Sequence, residues 1–251
     1  MPATEALFGR NATLEALRAR RRRLHRLLVA EAPRGGPLRT ILEEARRAGV
    51  PVVETPRREL EVRIAVPGAN HQGVVLEAGP YPYEDLDAML AGRGEGPPLY
   101  LALDQLQDPQ NVGTLLRTAE AVGVSGILIP EHRAASITPA VVNASSGATE
   151  WVRIAPVTNL ARALARLKDA GVWVAGLEAT PEAGPIDAAD LRGALALVVG
   201  SEGSGISRLV REGCDFLVRL PMRGRVASLN AAVAGSIALY AIDRQRASAE
   251  D

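Results

Sequence analysis

The chain has 251 residues, of which 47% are apolar and 23% charged, and its formal net charge at neutral pH is zero. This length and composition suit one large or two ordinary globular domains, and the single cysteine, Cys214, excludes a disulfide framework or a cysteine-based zinc site and favours a reducing cytoplasm. We expect neither a signal peptide nor a membrane span, because the first residues lack a basic and an apolar region and no run of about 18 apolar residues occurs.

The first 78 residues predict a small α/β domain. A helix begins near Gly9, with Asn11 as its candidate cap, and a second helix over 37–49 ends at Gly49. Apolar runs predict three short strands, at 27–30, 50–53 and 73–76. The second helix lies between the first two strands, which is typical of a βαβ unit.

Positive charge is concentrated in this front region. Residues 1–78 contain 14 arginines and 9 acidic residues, whereas 79–97 and 98–251 each carry a small negative net charge. Arginine suits phosphate binding, but a GC-rich genome would also explain the arginines. The run from Arg18 to Arg26 is therefore interpreted either as a solvated helix face or as an RNA phosphate contact. Glycine and proline over 79–97 predict a linker with one short helix at 84–91.

From residue 99 onward, apolar strands alternate with helices. Strands are predicted at 99–103, 126–129, 172–177, 195–199 and 216–220. Helices are predicted at 112–122, with Asn111 as the candidate cap, and at 138–144, 159–170 and 229–245. This alternation is typical of a parallel sheet with helices on both faces. Ligands of such sheets bind beyond the carboxyl ends of the strands.

Two loops that follow predicted strands carry polar side chains which ordinary turns do not need. The first is the glycine loop 200–205, with Glu202, and the second runs from Pro221 to Asn230 and includes Ser228. Together they predict a backbone-lined pocket for a flat ligand such as a nucleoside. The alternatives are that Glu202 is an ordinary exposed loop residue and that Ser228 or Asn230 caps the following helix.

Several other site types are disfavoured. The glycine spacing of 200–205 is G-x-x-G-x-G, the reverse of the dinucleotide-binding fingerprint, and it occurs late in the domain. With three histidines and no G-x-S-x-G, a serine hydrolase is not expected. No cluster has the spacing of metal ligands, so no metal is expected.

Three segments in fixed order resemble a known family. They are Asp108-Pro-x-Asn111-x-Gly-x-x-x-Arg117, Gly200-Ser-Glu202-Gly-x-Gly, and Pro221-Met-x-Gly-x-x-x-Ser228-Leu-Asn230. This order is similar to the three motifs of the SpoU (TrmH-like) RNA 2′-O-ribose methyltransferases of the SPOUT superfamily. The resemblance covers residues 99–246. Residues 8–17 and His71-Gln-Gly-Val74 also resemble the N-terminal domain of the branch that methylates a guanosine of 23S ribosomal RNA.

The resemblance implies a fold and an assembly. The expected fold is α/β, a parallel sheet with helices on both faces and a C-terminal deep trefoil knot, preceded by a small α/β substrate-binding domain. The implied divisions are 1–78 for RNA binding, 79–97 as linker and 98–251 as the methyltransferase domain. The resemblance further implies a homodimer and an RNA substrate.

It also implies S-adenosylmethionine as the cofactor, contacted by backbone at Gly200, Leu220 and Leu229. The implied catalytic residues are Asn111, Arg117, Glu202, Ser228 and Asn230.

Because a guanidinium stays protonated in proteins, we interpret Arg117 as a clamp on a phosphate and a stabiliser of the developing alkoxide, while a phosphate oxygen or Glu202 takes the proton. Asn111 would hold the ribose or Arg117, and Ser228 and Asn230 would orient the nucleotide and the loop. Transfer RNA as substrate, or an RNA-binding protein without catalysis, are the alternative functions.

Two further segments have two interpretations each. Residues 145–148, Ser-Ser-Gly-Ala, form either a close packing contact or a wall of the RNA site. His71 either contacts RNA or supports the local structure.

Overall fold

The computed structural model describes residues 4–31, 36–92, 94, 96–132, 134–226 and 228–248. Packing divides the chain into two compact units. The first contains the described residues of Met1–Pro82 together with Ile137–Trp151, and the second contains those of Tyr83–Ser136 and Val152–Asp251. The domain boundaries inferred from the sequence stay a prediction, but that prediction placed 137–151 in the C-terminal domain and not with the first unit.

The described residues form the following elements. The strands are β1 (Glu5–Phe8), β2 (Leu24–Ala30), β3 (Val52–Thr55), β4 (Val74–Ala78), β5 (Leu99–Leu103), β6 (Gly126–Pro130), β7 (Ile154–Val157), β8 (Trp173–Leu177), β9 (Gly184–Pro185), β10 (Leu195–Val199) and β11 (Phe216–Arg219). The helices are α1 (Arg10–Ala19), α2 (Gly36–Arg47), α3 (Arg57–Arg63), α4 (Leu86–Ala91), α5 (Pro109–Ala121), α6 (Pro139–Ala144), α7 (Leu160–Asp169), α8 (Arg208–Gly213) and α9 (Ala231–Ala247).

A four-stranded sheet in the order β1-β4-β2-β3 forms the centre of the first unit. β2 and β3 are parallel and are connected through α2, which confirms the predicted βαβ unit. β4 runs antiparallel to both β1 and β2. The apolar core of this sheet includes Phe8, Leu28 and Val75, with Leu60 of α3 packed against them.

The arginine run 18–26 is not one continuous surface. Helix α1 ends at Ala19, β2 begins at Leu24, and Arg22 in the connecting turn is buried. The guanidinium of Arg22 forms ion pairs with Glu150, at 2.8 Å, and with Glu5, at 2.7 Å. Arg22 is thus a buried structural residue, so neither interpretation of the run applies to it.

The segment Ile137–Trp151 packs tightly within the first unit. Gly147 has a φ of +88°, and a Cβ atom there would lie 2.7 Å from the Cβ of Glu15 on α1. Asn143 donates from Nδ2 to the carbonyl oxygen of Phe8 at 3.0 Å, and the Trp151 indole donates to the Glu15 carboxylate at 2.9 Å. These contacts favour the packing interpretation of residues 145–148.

The second unit contains a parallel sheet in the order β7-β6-β5-β10-β8-β11-β9. Helices cover both faces. Val198 belongs to a core cluster with Leu164 of α7, whereas the adjacent Val199, on the opposite face, lies next to Gly235 of α9. The α/β fold with a helix-flanked parallel sheet is therefore confirmed, and the trefoil knot stays a prediction. No helix of the described residues is long and apolar enough to cross a membrane.

Helix α5 begins three residues earlier than predicted. Asp108 is the N-cap, with its carboxylate accepting a hydrogen bond from Gln110 N at 3.1 Å, and Pro109 occupies the first helical position. The sequence interpretation of Asn111 as the cap is therefore wrong. This shift frees the Asn111 side chain, which lies in the first turn and is buried, for a different set of contacts.

Candidate functional site

A cavity of about 760 Å³ opens beyond the carboxyl ends of β8, β10 and β11 in the second unit. Its walls are the segments that follow these strands, together with the start of α9, namely Leu177–Thr180, Val199–Gly205, Leu220, Met222, Ser228–Ala231 and Ala234. This edge is where parallel sheets bind ligands, and the volume lies within the range of small-molecule sites.

The glycine loop after β10 folds back on itself. Ser201 and Gly205 exchange two backbone hydrogen bonds, at 3.1 and 3.0 Å. Gly203 and Gly205 have left-handed φ angles of +84° and +64°, which suit glycine. A Cβ atom on Gly200 would lie 2.2 Å from the carbonyl carbon of Gly205, so no side chain fits at that position. The loop therefore depends on glycine, and much of the wall that it forms is backbone.

Two carboxylates hold the far end of this loop. Asp104 accepts a hydrogen bond from Ser207 N at 2.6 Å, and Glu178 accepts one from Ile206 N at 3.2 Å. The Glu178 carboxylate also pairs with Arg211 at 3.1 Å. Neither residue was predicted from the sequence, although each is an acidic residue directly after an apolar strand, which is the signal that could have identified it.

At the mouth of the cavity, one hydrogen-bonded cluster joins the three sequence motifs. Asn111 donates from Nδ2 to Glu202 Oε1 at 3.2 Å. Asn230 donates from Nδ2 to Asn111 Oδ1 at 2.9 Å and also contacts the Glu202 carboxylate. Asn230 Oδ1 accepts from Val233 N at 3.1 Å, so Asn230 caps α9 while it takes part in the cluster. Glu202 is an exposed residue whose carboxylate is held by two side-chain amides.

Six of the eight predicted site residues line the cavity. They are Gly200, Glu202, Leu220, Ser228, Leu229 and Asn230. Asn111 reaches the same place through its hydrogen bonds. Arg117 lies on the exposed side of α5 and is not part of the cavity wall. The next residue on α5, Thr118, shares a 2.8 Å hydrogen bond with Ser236 of α9.

The composition of the wall indicates what kind of ligand it suits. Side chains such as Leu177, Val199 and Leu220 provide apolar surface for a flat ring, and the glycine loop provides polar backbone. Among the described lining residues, the charged ones are Glu178 and Glu202, and none is cationic. A cavity with this charge favours a positive ligand over a phosphate-bearing one. The cationic sulfonium and adenosyl ring of S-adenosylmethionine meet both requirements.

No group of three or more His, Cys, Asp and Glu side chains that could hold a metal ion occurs among the described residues.

Two family models match the chain. The model of the SpoU rRNA methylase family matches residues 98–240, and that of RNA 2′-O ribose methyltransferase substrate binding matches residues 6–84. YacO of Bacillus subtilis (strain 168), which carries the name of a TrmH family tRNA/rRNA methyltransferase, is 42% identical over 96% of this chain and 95% of its own length.

Solved structures share the fold of the whole chain. The SpoU methyltransferase AviRb from Streptomyces viridochromogenes, in complex with the cofactor AdoMet, matches with a TM-score of 0.80 at 22% identity, over 98% of this chain and 91% of that one. An AdoMet-bound rRNA methyltransferase from Sinorhizobium meliloti matches with a TM-score of 0.78 at 24% identity, over 96% and 87% of the two chains.

Proposed function

The chain belongs to the SpoU rRNA methylase family, and from this premise we propose that it methylates a ribose 2′-hydroxyl of RNA, on a guanosine of 23S ribosomal RNA. Membership makes it an RNA methyltransferase that uses S-adenosylmethionine. The proposal adds the acceptor atom and the RNA. The observation that carries it is the Asn111–Glu202–Asn230 cluster at the mouth of a cavity whose described walls hold no cationic side chain.

The cofactor would bind in the cavity after β8, β10 and β11. Backbone at Gly200, Leu220 and Leu229 would hold its adenosyl part, since all three line the wall. When bound, S-adenosylmethionine supplies an electrophilic methyl group on a sulfonium. The negative charge of Glu202 at the mouth of the cavity would complement that cation, and the apolar walls would keep water from the reacting atoms.

The acceptor hydroxyl must be aligned and must lose a proton. Glu202 is the candidate acceptor of that proton within the cavity, with a substrate phosphate oxygen as the alternative. The amides of Asn111 and Asn230 fix the orientation of the Glu202 carboxylate. Ser228, also in the wall, would orient the nucleotide. Proximity and alignment of this kind can contribute several kcal/mol to lowering the barrier.

Arg117 would clamp a substrate phosphate and stabilise the developing alkoxide. Arg117→Ala should abolish methyl transfer while leaving the affinity for S-adenosylmethionine, measured by calorimetry, nearly unchanged. Arg162→Ala is a matched control, because it removes an exposed arginine from α7 instead. Loss of cofactor binding in Arg117→Ala would contradict the clamp role.

A homodimer through α9 is part of the proposal. Val233, Ile237 and Tyr240 recur at helical spacing on α9 and are 45%, 46% and 50% exposed. This apolar stripe continues to Leu229 and Met222 beside the cavity, and α5, which carries Arg117, packs against the same helix. Ile237→Asp should convert a dimer to a monomer in sedimentation experiments. Val62→Asp, at a valine that is 79% exposed on α3, should not.

The central experiment is transfer of a radiolabelled methyl group to total RNA, followed by mapping of the labelled nucleotide. A 2′-O-methyl group would make the adjacent phosphodiester bond resistant to alkali, because the 2′-oxygen can no longer attack it. Two observations support ribosomal RNA: the front motifs at 8–17 and 71–74, and the S. meliloti rRNA enzyme, whose fold spans both units. Such a substrate would place the enzyme in the cytoplasm.

Each other outcome would overturn part of the proposal. Label in transfer RNA would change the substrate, and label on a base would change the acceptor atom. RNA binding without any label would indicate a protein that has lost catalysis.

A further inference from the structure

The first unit contains a second cavity, of about 720 Å³, with a different character. Six of its described lining residues have polar or charged side chains, namely Arg10, Asn11, Glu31, Arg57, Asn70 and Gln72. Two of these are cationic and one is anionic, so the described wall carries a net positive charge. The two front motifs that the sequence analysis singled out supply Arg10, Asn11 and Gln72, yet the methyl-transfer site uses none of them.

The two motifs are joined through the side chain and backbone of Gln72. Its Oε1 accepts a hydrogen bond from Arg10 N at 2.9 Å, and its carbonyl oxygen accepts one from Arg10 Nε at 3.2 Å. Gln72 therefore satisfies a backbone donor at the start of α1, where Gly9 has no side chain to act as a cap. Gln72 has a left-handed φ of +53°, an uncommon conformation for a residue with a side chain. Strain of this kind is maintained where the surrounding structure enforces it.

The buried side chain of His71 supports the loop 70–73. The ring is buried, with 2% exposure, and its Nδ1 accepts a hydrogen bond from Gly73 N at 3.0 Å. Asn70 Oδ1 accepts one from Gln72 N at 3.0 Å. His71 therefore supports the local structure, which decides between its two interpretations. These two hydrogen bonds hold the loop 70–73, whose residues Asn70 and Gln72 line the cavity.

Several groups in this wall remain available for a ligand. Asn11 is exposed and none of its side-chain atoms is bonded within the described residues. The Nδ2 group of Asn70 can donate, because the turn uses only its Oδ1. Arg57 makes one contact of 3.6 Å with Glu61, and both side chains are more than half exposed, so this pair is weak.

We propose that this cavity binds one unpaired nucleotide of the RNA substrate, with its phosphate on Arg10 and Arg57 and its base against Asn11, Asn70 and Glu31. This inference rests on the proposed function for the identity of the ligand as RNA. Arginine forks suit phosphates, and side-chain amides and carboxylates bind the edges of unstacked bases. The Glu31 carboxylate accepts hydrogen bonds only. The exocyclic amino group of adenine, guanine or cytosine offers it two N–H donors, whereas uracil offers the single N3–H, so the amino-bearing bases should be preferred.

The first experiment uses the four nucleoside 5′-monophosphates and inorganic phosphate as probes. The full chain is saturated with S-adenosylhomocysteine so that the cofactor cavity is filled, and the side-chain amide signals of Asn11, Asn70 and Gln72 are followed by NMR. We expect saturable shifts, with AMP, GMP and CMP binding more tightly than UMP, and with phosphate weaker by about tenfold or more. Equal binding of phosphate and all four nucleotides would indicate an anion site only, and an absence of shifts would indicate no site; either result overturns the proposal.

The second experiment compares two neighbouring arginines of α3. Arg57→Ala removes a cavity residue, whereas Arg58→Ala removes an exposed arginine outside the cavity wall. We expect nucleotide binding to weaken about tenfold in the first variant and less than about twofold in the second. If the two variants weaken nucleotide binding equally, the nucleotides bind by general electrostatic attraction and not in the cavity, which overturns the proposal. Asn11→Ala is a further probe that should not impair folding, because alanine is the better helix former.

Methyl transfer separates this inference from the proposed function. With RNA as the varied substrate, Arg57→Ala should raise KM and leave kcat nearly unchanged, since Arg57 belongs to the proposed binding cavity of the first unit and not to the proposed methyl-transfer site. A fall in kcat at unchanged KM would contradict a binding role. If the wild-type chain binds nucleotides with the expected preference but transfers no methyl group, the proposed function is wrong and the nucleotide-binding role of the cavity is retained.

Discussion

The two cavities differ in the types of residue that line them. The cavity of the second unit, in which the cofactor is proposed to bind and which we call the cofactor cavity, is lined by a glycine loop, apolar side chains and two glutamates. The polar part of the cavity wall in the first unit consists of arginine, asparagine and glutamine side chains with one glutamate, Glu31. A wall of backbone and carboxylates suits a sulfonium and an adenosyl ring, whereas a wall of guanidinium and amide groups suits a phosphodiester and a base. From this difference in charge we expect the cofactor and the proposed RNA nucleotide to bind in separate units of one chain.

The largest expected effect comes from adding one carbon atom to the cofactor cavity. Gly200→Ala places a Cβ atom 2.2 Å from the Gly205 carbonyl carbon, and backbone cannot yield as a flexible side chain does. The loop must open, and we expect the affinity for S-adenosylmethionine to fall by about a hundredfold or more, which corresponds to about 3 kcal/mol. Calorimetric titration with the cofactor measures this loss, and nucleotide binding to the first unit should be unchanged.

Gly203→Ala is the control within the same loop. Its φ of +84° costs an alanine about 1 kcal/mol, but among the described residues beyond its two chain neighbours no atom lies within 4 Å of the added Cβ. It should therefore weaken cofactor binding much less than Gly200→Ala. If the two variants bind the cofactor equally well, the close approach of Gly200 to Gly205 is not what forms the cavity.

A comparable effect is expected in the first unit from Glu150→Ala. Both side chains of the Arg22–Glu150 pair are fully buried. Removal of Glu150 leaves Arg22, within the described part of the chain, with the partly exposed Glu5 as its remaining acidic partner. Breaking a buried pair costs about 3 kcal/mol or more. We expect this loss in the unfolding free energy of the first unit, measured by denaturant titration, with cofactor affinity unchanged. Glu43→Ala, which breaks an exposed pair with Arg39, should cost less than about 1 kcal/mol.

The burial of Glu150 in the first unit is a feature that could not be predicted from the sequence, whereas several strands could. Strands 99–103 and 195–199 could be predicted to the residue, because continuous apolar runs end there at polar or glycine loops. That residues 137–151 pack with the first unit could not be predicted, since the contacts of Asn143, Gly147 and Glu150 join positions more than 100 residues apart in the chain.

Other elements that were not predicted from the sequence have local explanations. Strand β1 has only four residues, too few to display a clear alternation, and α3 is mostly charged, so it lacks an apolar period. The cap of α5 could have been assigned correctly, because Pro109 marks the first helical position and Asp108 precedes it. Of the residues that the motifs predicted, seven lie together at the cavity but Arg117 is not part of its wall, and Asp104 and Glu178 required the folded loop to be recognised.

A third effect concerns the cluster that joins the three motifs. Asn111→Asp replaces a donor with a carboxylate beside Glu202, at a separation where the present hydrogen bond is 3.2 Å. Two carboxylates at this distance repel, which raises the pKa of the pair. We expect methyl transfer near neutral pH to fall by about tenfold to a hundredfold, and to recover in part as the pH falls and the pair takes up a proton.

The pH profile distinguishes this cause from simple loss of a contact. Asn111→Ala also removes the hydrogen bond but introduces no charge, so its activity should be low without recovery on acidification. Identical pH profiles for the two variants would show that Asn111 does not act through the charge of Glu202. Neither variant should change nucleotide binding in the first unit, because the cluster lies wholly in the second.

The smallest effect is a pH dependence confined to the first unit. Burial, followed by the charge of Arg57, lowers the pKa of His71 from its ordinary value of 6.5, and the carboxylate of Glu61 opposes this only in part. The unfolded chain therefore binds a proton at a higher pH than the folded chain does. Stability contributed by neutral His71 is present above pH 6.5 and is lost as the pH falls below it, by no more than about 1.4 kcal/mol per pH unit.

His71→Asn removes this titration and keeps an acceptor, Oδ1, in place of Nδ1 for Gly73 N. Denaturant titrations at pH 7.5, 6.5 and 5.5 should show a shallower loss of stability in this variant than in the wild type. His132→Asn, at an exposed residue of the second unit, should leave the wild-type slope unchanged. Because His71 supports the loop 70–73, acidification should weaken nucleotide binding in the first unit before it weakens cofactor binding. If acidification weakens both kinds of binding equally, His71 is not the group that causes the pH dependence.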